Sequence, residues 1–238
     1  SIGRATSTTT RSPMMKFSTT GAAQALATAA LSFLCAGPVR AQVPAEAPYI
    51  GVGGKPIEGA EILFDGTRQL LDDKWTYWQG PRFASSLPIK WKIVEDPVVR
   101  GGTALQTDDP VTKVQQYGTS DIVTKKAYRD FRLHIEFRCG YWGANSGVYL
   151  QNRYEIQVLD GDATSHGVGS LVNETPSPYW AYKGTGTWNA YDVQFRAARF
   201  KDGKLVEKAM VTLYFNGTKI LQNQPINKVW GGANSGLD

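Results

Sequence analysis

Glu155, Gln157 and Asp160 stand closest to chemistry in this chain, in the stretch NSGVYLQNRYEIQVLD from Asn145 to Asp160. Glu155 and Gln157 are two apart in an alternating run, so on a strand they point the same way, about 6–7 Å apart. Asp160 comes three residues further on, where a bulge would return it to that face. A carboxylate in such a place serves as a general base or acid. Retaining glycoside cleavage needs two carboxylates about 5–5.5 Å apart, and inverting cleavage about 6.5–9.5 Å. Gln157 cannot supply the second one. It would have to come from Asp160, from Glu136 or Asp192 on another strand, or from beyond the end of the sequence.

Other side chains could bind or orient a substrate. Asn145, Tyr149 and Gln151 are expected to share the face of Glu155, and Arg196 adds a charged donor. His134 shares a strand face with Glu136. Tyr149 and Trp188 suit stacking on the apolar C–H face of a sugar. Each has a structural alternative: Glu155 could pair with Arg132 or Arg138, Gln157 and Asn145 could satisfy nearby backbone, and the aromatics could fill the core. His166 lies near Asp160 and Asp162 and could help hold a divalent cation, but the spacing matches no strong metal motif. The residues fix no cofactor. Cys139 reads as a small strand-end residue without an evident redox partner.

These groups need a scaffold of strands. Val148 and Leu150 alternate with Tyr149 and Gln151, and Ile156 and Val158 alternate with Glu155 and Gln157 across a short polar break, a hairpin signal. Setting Leu150 opposite Ile156 and Val148 opposite Val158 centres an odd-length turn on Arg153. Gln151 then faces Glu155, and Tyr149 faces Gln157. A two-residue loop would put Leu150 beside Glu155 and mix the faces.

Further strands are expected around Ile62–Phe64, Trp91–Glu95, Ala104–Thr107, Asp121–Thr124, Phe131–Arg138, Tyr191–Arg196 and Val211–Phe215, the last joined to Thr218–Leu221 by Asn216-Gly217. Residues 161–187 read as a long loop, and loops of that length are commonly functional. No segment beyond the leader shows a helical period. Many short strands between turns mean an all-β sandwich or jelly roll.

Residues 1–41 stand apart. Met14-Met15-Lys16 begins a basic region, Ala22 to Ala36 is apolar, and Val39-Arg40-Ala41 resembles a signal-peptidase site. The expected organisation is upstream residues and secretory signal peptide over 1–41, a linker or extended arm over 42–59, and one domain over 60–238. The apolar run is short for a membrane span, so no membrane attachment is expected after cleavage. The leader holds Arg4, Arg11, Lys16 and Arg40 and no acid. The remainder is thus almost neutral, although the whole chain has 26 basic and 21 acidic side chains. Near-neutrality argues against an electrostatic nucleic-acid binder. Cleavage leaves Cys139 as the single cysteine, so no intrachain disulfide is expected.

Asp121-Ile122-Val123-Thr124, DFRLHIEFR, NSGVYLQNRYEIQVLD, WNAYDVQFRAARF and VTLYFNGTKI, preceded by LFDG, follow one another in an order that resembles the bacterial 3-keto-disaccharide hydrolase domain family. The resemblance spans about residues 60–230. It implies a concanavalin-like jelly roll of two antiparallel sheets with a sugar cleft on one concave face. It also implies export to the periplasm or beyond, and cleavage of glycosides already oxidised at C3. Family members continue past Gly231-Gly232-Ala233-Asn234 into a block with a His-Gly pair and a closing strand, whereas this sequence stops at Asp238, so that strand is expected to be missing.

A 3-ketone acidifies the proton on C2, so one base can start elimination of the C1 substituent, with water adding afterwards. Glu155 as base, with Gln157, Asn145 and Arg196 as orienting donors, meets that need. A carbohydrate is the expected partner. A non-catalytic, lectin-like sugar-binding domain on the same face is the alternative.

Overall fold

The computed structural model describes residues 14–17, 49–78, 88–107, 121–162, 164 and 166–229, and for 14–17 the backbone alone. The strands begin with β1 (Met14–Phe17), β2 (Glu61–Ile62), β3 (Trp75–Tyr77), β4 (Lys92–Glu95), β5 (Thr103–Gln106), β6 (Ile122–Thr124) and β7 (Phe131–Phe137). They continue with β8 (Asn145–Leu150), β9 (Tyr154–Leu159), β10 (Asn189–Arg196), β11 (Arg199–Lys201), β12 (Lys204–Glu207), β13 (Met210–Phe215) and β14 (Thr218–Pro225). Among the described residues one short helix, α1 (Arg68–Lys74), interrupts them, where no helical segment was expected. Thr67 caps it by accepting a hydrogen bond from Leu70 N at 3.2 Å, and Leu71 is its buried residue. Seven residues are too few for a period to show.

Phe131–Phe137 alternates as expected, and that alternation decides the architecture. β7 lies in a six-stranded antiparallel sheet of order β14-β13-β10-β7-β1-β2. Phe131, Leu133 and Phe137 turn inward with Tyr191, Val193 and Phe195 of β10 and Leu213 and Phe215 of β13. Leu150, Tyr154, Ile156 and Val158 of the β8–β9 pair join the same core from the other side. Two antiparallel layers thus face each other across one apolar interior, as in a jelly-roll sandwich. Tyr191 links them directly, its hydroxyl donating to Gln157 O at 2.5 Å. Burial drives that phenol's pKa well up, so it remains a neutral donor. A second core of Phe64, Leu71, Tyr77, Ile89, Trp91 and Leu105 joins α1, the β3–β6 pair and the β4–β5 hairpin.

Asn216-Gly217 forms the expected tight turn between β13 and β14, with φ of 50° and 85°. Asn216 also acts as a node. Its N–H donates to Ala190 O, its Oδ1 accepts from Ala190 N, and its Nδ2 donates to Ala181 O and to Asn189 Oδ1. The long loop is thereby fastened to the sheet. Among the described residues of 161–187 there is no strand beyond the bridge that Leu171 makes with Ile156 and Thr175.

Residues 49–54 cross the outer face of the large sheet. Tyr49 packs on Tyr214 with centroids 5.9 Å apart, Gly51 N donates to Asp192 Oδ2 at 2.9 Å, and Gly53 N to Glu136 Oε1 at 2.6 Å. β1 falls within the stretch read as a leader, and it pairs with both β2 and β7. Cleavage near Ala41 would take this strand out of the sheet. No helix among the described residues is long and apolar enough to cross a membrane.

Candidate active site on the second layer

The β8–β9 hairpin keeps the expected faces with a different register. Leu150 pairs with Tyr154, Tyr149 with Glu155, Val148 with Ile156, and Gly147 with Gln157. The turn has an odd length, as expected, but it comprises Gln151, Asn152 and Arg153 and is centred one residue earlier. Gln151 and Asn152 both take left-handed conformations, with φ of 55° and 56°, and Arg153 N donates to Leu150 O at 3.1 Å. The tight closure removes Gln151 from the face of Glu155. Its Nε2 donates instead to Tyr128 O at 3.0 Å, tying the turn to a neighbouring loop.

Asn145, Tyr149, Glu155 and Gln157 do share one face, opposite the core. Glu155 and Gln157 are nearly inaccessible, at 3% and 6% exposure, whereas Asn145 and Tyr149 are half-buried. On the far side of β9, Gln157 N donates to Ser170 O, and Val172 N donates to Glu155 O. Leu171 turns into the core beside Ile156, so Ser170 and Val172 take the Glu155 side.

Two residues of this site carried no chemical signal in the sequence. Ser170 sits in the irregular loop, and its fully buried Oγ has no hydrogen-bond partner among the described residues. Gly147 lies under the Glu155 side chain. A β-carbon there would be 2.8 Å from both Cγ and Cδ of Glu155 and closer still to Oε1. A glycine breaking an alternating run is the signal that could have found it, because it marks close approach.

The other expected site residues lie elsewhere. No bulge interrupts the β8–β9 ladder, so Asp160 stays on the inward side, where its Oδ2 accepts from Thr185 Oγ1 at 2.5 Å. Trp188 is buried, at 5% exposure, and its indole N–H donates to Asp96 Oδ1 at 3.0 Å, so its ring offers no face to a sugar. Arg196 is occupied by Glu207 and by Lys208 O. His134 and Glu136 belong to the outer face of the large sheet, beneath the arm. There His134 Nδ1 lies 2.7 Å from Asp192 Oδ1, and Nε2 lies 3.4 Å from Glu136 Oε1. Burial opposes charge on this imidazole, but Asp192 and Glu136 outweigh it and push the pKa up to about 9. The imidazolium and its two carboxylates anchor the arm.

Asp162 receives a hydrogen bond from Thr164 N, and His166 N donates to Thr164 Oγ1. With Asp160 they form no ligand cluster, and among the described residues no group of three or more His, Cys, Asp or Glu converges as a metal site would. Burial raises the pKa of the Cys139 thiol, which stands at the inner end of β7.

The hairpin face therefore presents one carboxylate, a carboxamide beside it, a buried hydroxyl, and a tyrosine and an asparagine at its margin. It can abstract or return a proton and can donate or accept hydrogen bonds around it. A comparison with curated proteins finds no match. Among solved structures, the chain is similar to a Parabacteroides distasonis protein described provisionally as a glycosyl hydrolase. The identity is 22%, covering 63% of this chain and 78% of that one, with a TM-score of 0.43. The model of the 3-keto-α-glucoside-1,2-lyase-like domain matches residues 59–237. With three quarters of its length so matched, the chain belongs to the 3-keto-α-glucoside-1,2-lyase-like domain family.

Proposed function

We propose that the protein cleaves 3-keto-glycosides by base-initiated elimination followed by hydration, with Glu155 as the base. The carrying observation is a single buried carboxylate held over Gly147 on the non-core face of β9, in a chain of this family. Asp160, Glu136 and Asp192 all lie off that face, so the arrangement suits one-base chemistry better than a two-carboxylate displacement.

The 3-ketone makes the C2–H bond acidic. Glu155 takes that proton, and the electron pair passes towards C3 as an enolate. The enolate collapses to a C1–C2 double bond as the C1–O bond breaks, and the departing oxygen takes up the proton that Glu155 has just gained. Water then adds across the double bond, its oxygen to C1 and a proton to C2. Gln157, Asn145 and the unpaired Ser170 hydroxyl provide orienting hydrogen bonds at the edge of the reacting sugar. Tyr149, directly opposite Glu155, offers ring surface to the sugar's C–H face.

The test is release of p-nitrophenol from p-nitrophenyl 3-keto-glucoside. A folded Glu155→Gln variant should lose at least about 100-fold in kcat, the scale of a removed general base, and undiminished turnover would overturn the assignment. Residues 1–41 extend the proposal to export outside the cytoplasm. Edman sequencing of the mature protein should then begin at Gln42.

A further inference from the structure

Four large aromatic side chains are left uncovered at the end of the sandwich where β7 and β9 finish. Tyr141 is 46% exposed, Trp142 81%, Tyr179 62% and Trp180 58%. They come from two separate loops that are tied together: Gly186 N donates to Cys139 O at 2.8 Å, and Arg138 Nε donates to Gly186 O at 2.8 Å. Trp142 lies against Gly161, its indole nitrogen 3.3 Å from where a β-carbon would stand. Trp180 meets the buried ring of Tyr182 edge-on, with centroids 6.0 Å apart at 88°. Backbone bonds from Ala144 N to Tyr141 O and a Ser177 hydroxyl bond to Tyr179 O hold the loop backbones beside the rings. Leaving four such rings in water costs free energy unless something covers them.

We infer that this rim is a carbohydrate-binding platform for sugar units remote from the bond that is cleaved, so that the preferred ligand is an oligosaccharide longer than two units. The rings are set in supported loops, and exposed Lys183 and Thr185 follow Tyr179 and Trp180 in the same loop. A sugar chain offers that same mixture, apolar C–H faces for the rings and hydroxyls for the polar groups, without requiring a continuous apolar surface. Gly161, under Trp142, lies six residues beyond Glu155, about 20 Å along an extended strand. That separation places the rim beyond Asn145, past the edge of the reacting sugar and adjoining it, where further units of the same chain would lie. The inference rests on the carbohydrate reading above, but it concerns binding and not chemistry.

Titration calorimetry of the full chain with unoxidised malto- and cello-oligosaccharides of two to six units tests it, with quenching of tryptophan fluorescence as a second readout. One of the two hexasaccharides should bind at least tenfold more tightly than its disaccharide. Trp142→Ala and Trp180→Ala should each weaken that binding about three- to tenfold, as expected for loss of one ring contact, with circular dichroism unchanged. Equal affinity for short and long sugars would overturn the platform, as would unchanged hexasaccharide binding in both variants. Concentration-dependent self-association abolished by Trp142→Ala would overturn it too, by assigning the rim to a second copy of the chain. Oligosaccharide binding without turnover of 3-keto-glucosides would leave the platform standing and remove the proposed reaction.

Discussion

Gly147 offers a sharp test of whether the pose of Glu155 matters to catalysis. Its backbone is not in the left-handed region, so alanine strains nothing in the main chain. Glycine inside a strand is itself destabilising by about 0.5–1 kcal/mol relative to alanine, which offsets part of any packing cost. The obstruction is confined to one side chain: the new β-carbon would stand 2.8 Å from Cγ and Cδ of Glu155, where ordinary contacts begin at 3.4 Å. Relief requires a shift of about 1 Å at the carboxylate or a change of rotamer, itself costing about 0.5–1.5 kcal/mol. Gly147→Ala should therefore fold with a stability within about 1 kcal/mol of wild type. Misplacing a reacting group by about 1 Å costs about 100-fold in rate. Turnover of p-nitrophenyl 3-keto-glucoside should show this loss in kcat, with KM little changed. In a Glu155→Gln background the same change should cost almost nothing more, because the group it displaces is already neutral. Full activity in Gly147→Ala, or a loss of the same size in both backgrounds, would refute the reasoning.

His134 sets an alkaline limit on stability. Its ordinary pKa of 6.5 rises to about 9 in the fold, so its pairing with Asp192 and Glu136 contributes fully below pH 6.5 and is lost as the pH climbs through 9, a change of about 3 kcal/mol. Urea unfolding at pH 6 and pH 10 should show that loss in the wild type and a flatter profile in His134→Asn; equal profiles would remove the histidine as its cause. Gly169 has φ of +81°, and a β-carbon there would come 2.9 Å from Ile220 Cδ1 and 3.1 Å from Phe215 Cδ1. Gly169→Ala should cost about 1–3 kcal/mol in urea unfolding, and a neutral result would mean that the loop parts from the sheet easily. Replacing Gln151 by Ala should leave turnover within about twofold, since its amide serves the turn and sits off the reacting face; a large loss would return it to the site.

The short β4, β5 and β6 were legible beside their turns, and the longest strands that could be read were those with a strict alternation and one buried face. Phe131–Phe137, Asn189–Arg196 and Met210–Phe215 all belong to the large sheet, and the Asn216-Gly217 turn fixed how the last of them continues. Period two also assigned the faces of the β8–β9 hairpin correctly, because a one-residue slip would bury Glu155 in the core. It could not fix the register, since a shift by two residues conserves every face; the left-handed conformations of Gln151 and Asn152 decided between the alternatives. Face assignment is likewise why Asn145, Tyr149, Glu155 and Gln157 assemble as expected.

Candidates chosen for chemistry alone fared differently. Trp188, His134 and Glu136 have the right functional groups, but their partners, Asp96, Asp192 and the arm, are distant in sequence, and Arg196 is taken by Glu207 of the short β12, a strand not expected from the sequence. Ser170 and the aromatic rim were hidden for the same reason: both depend on how a loop without periodicity is folded back on strand ends.

Asn216 has a consequence for how such a chain can change over generations. One side chain at a turn holds Ala181, Asn189 and Ala190 together, so the loop bearing Trp180 is positioned by a residue outside the proposed platform. Loss of the amide at position 216 would remove the side-chain partner of Ala181 O and of Ala190 N at once and leave Asn189 Oδ1 with Lys183 N alone, and a single compensating substitution could not restore all three. Positions 189 and 216 should accordingly drift as a pair among natural relatives, with the aromatic residues of the 179–182 segment redrawn wherever that pair is exchanged.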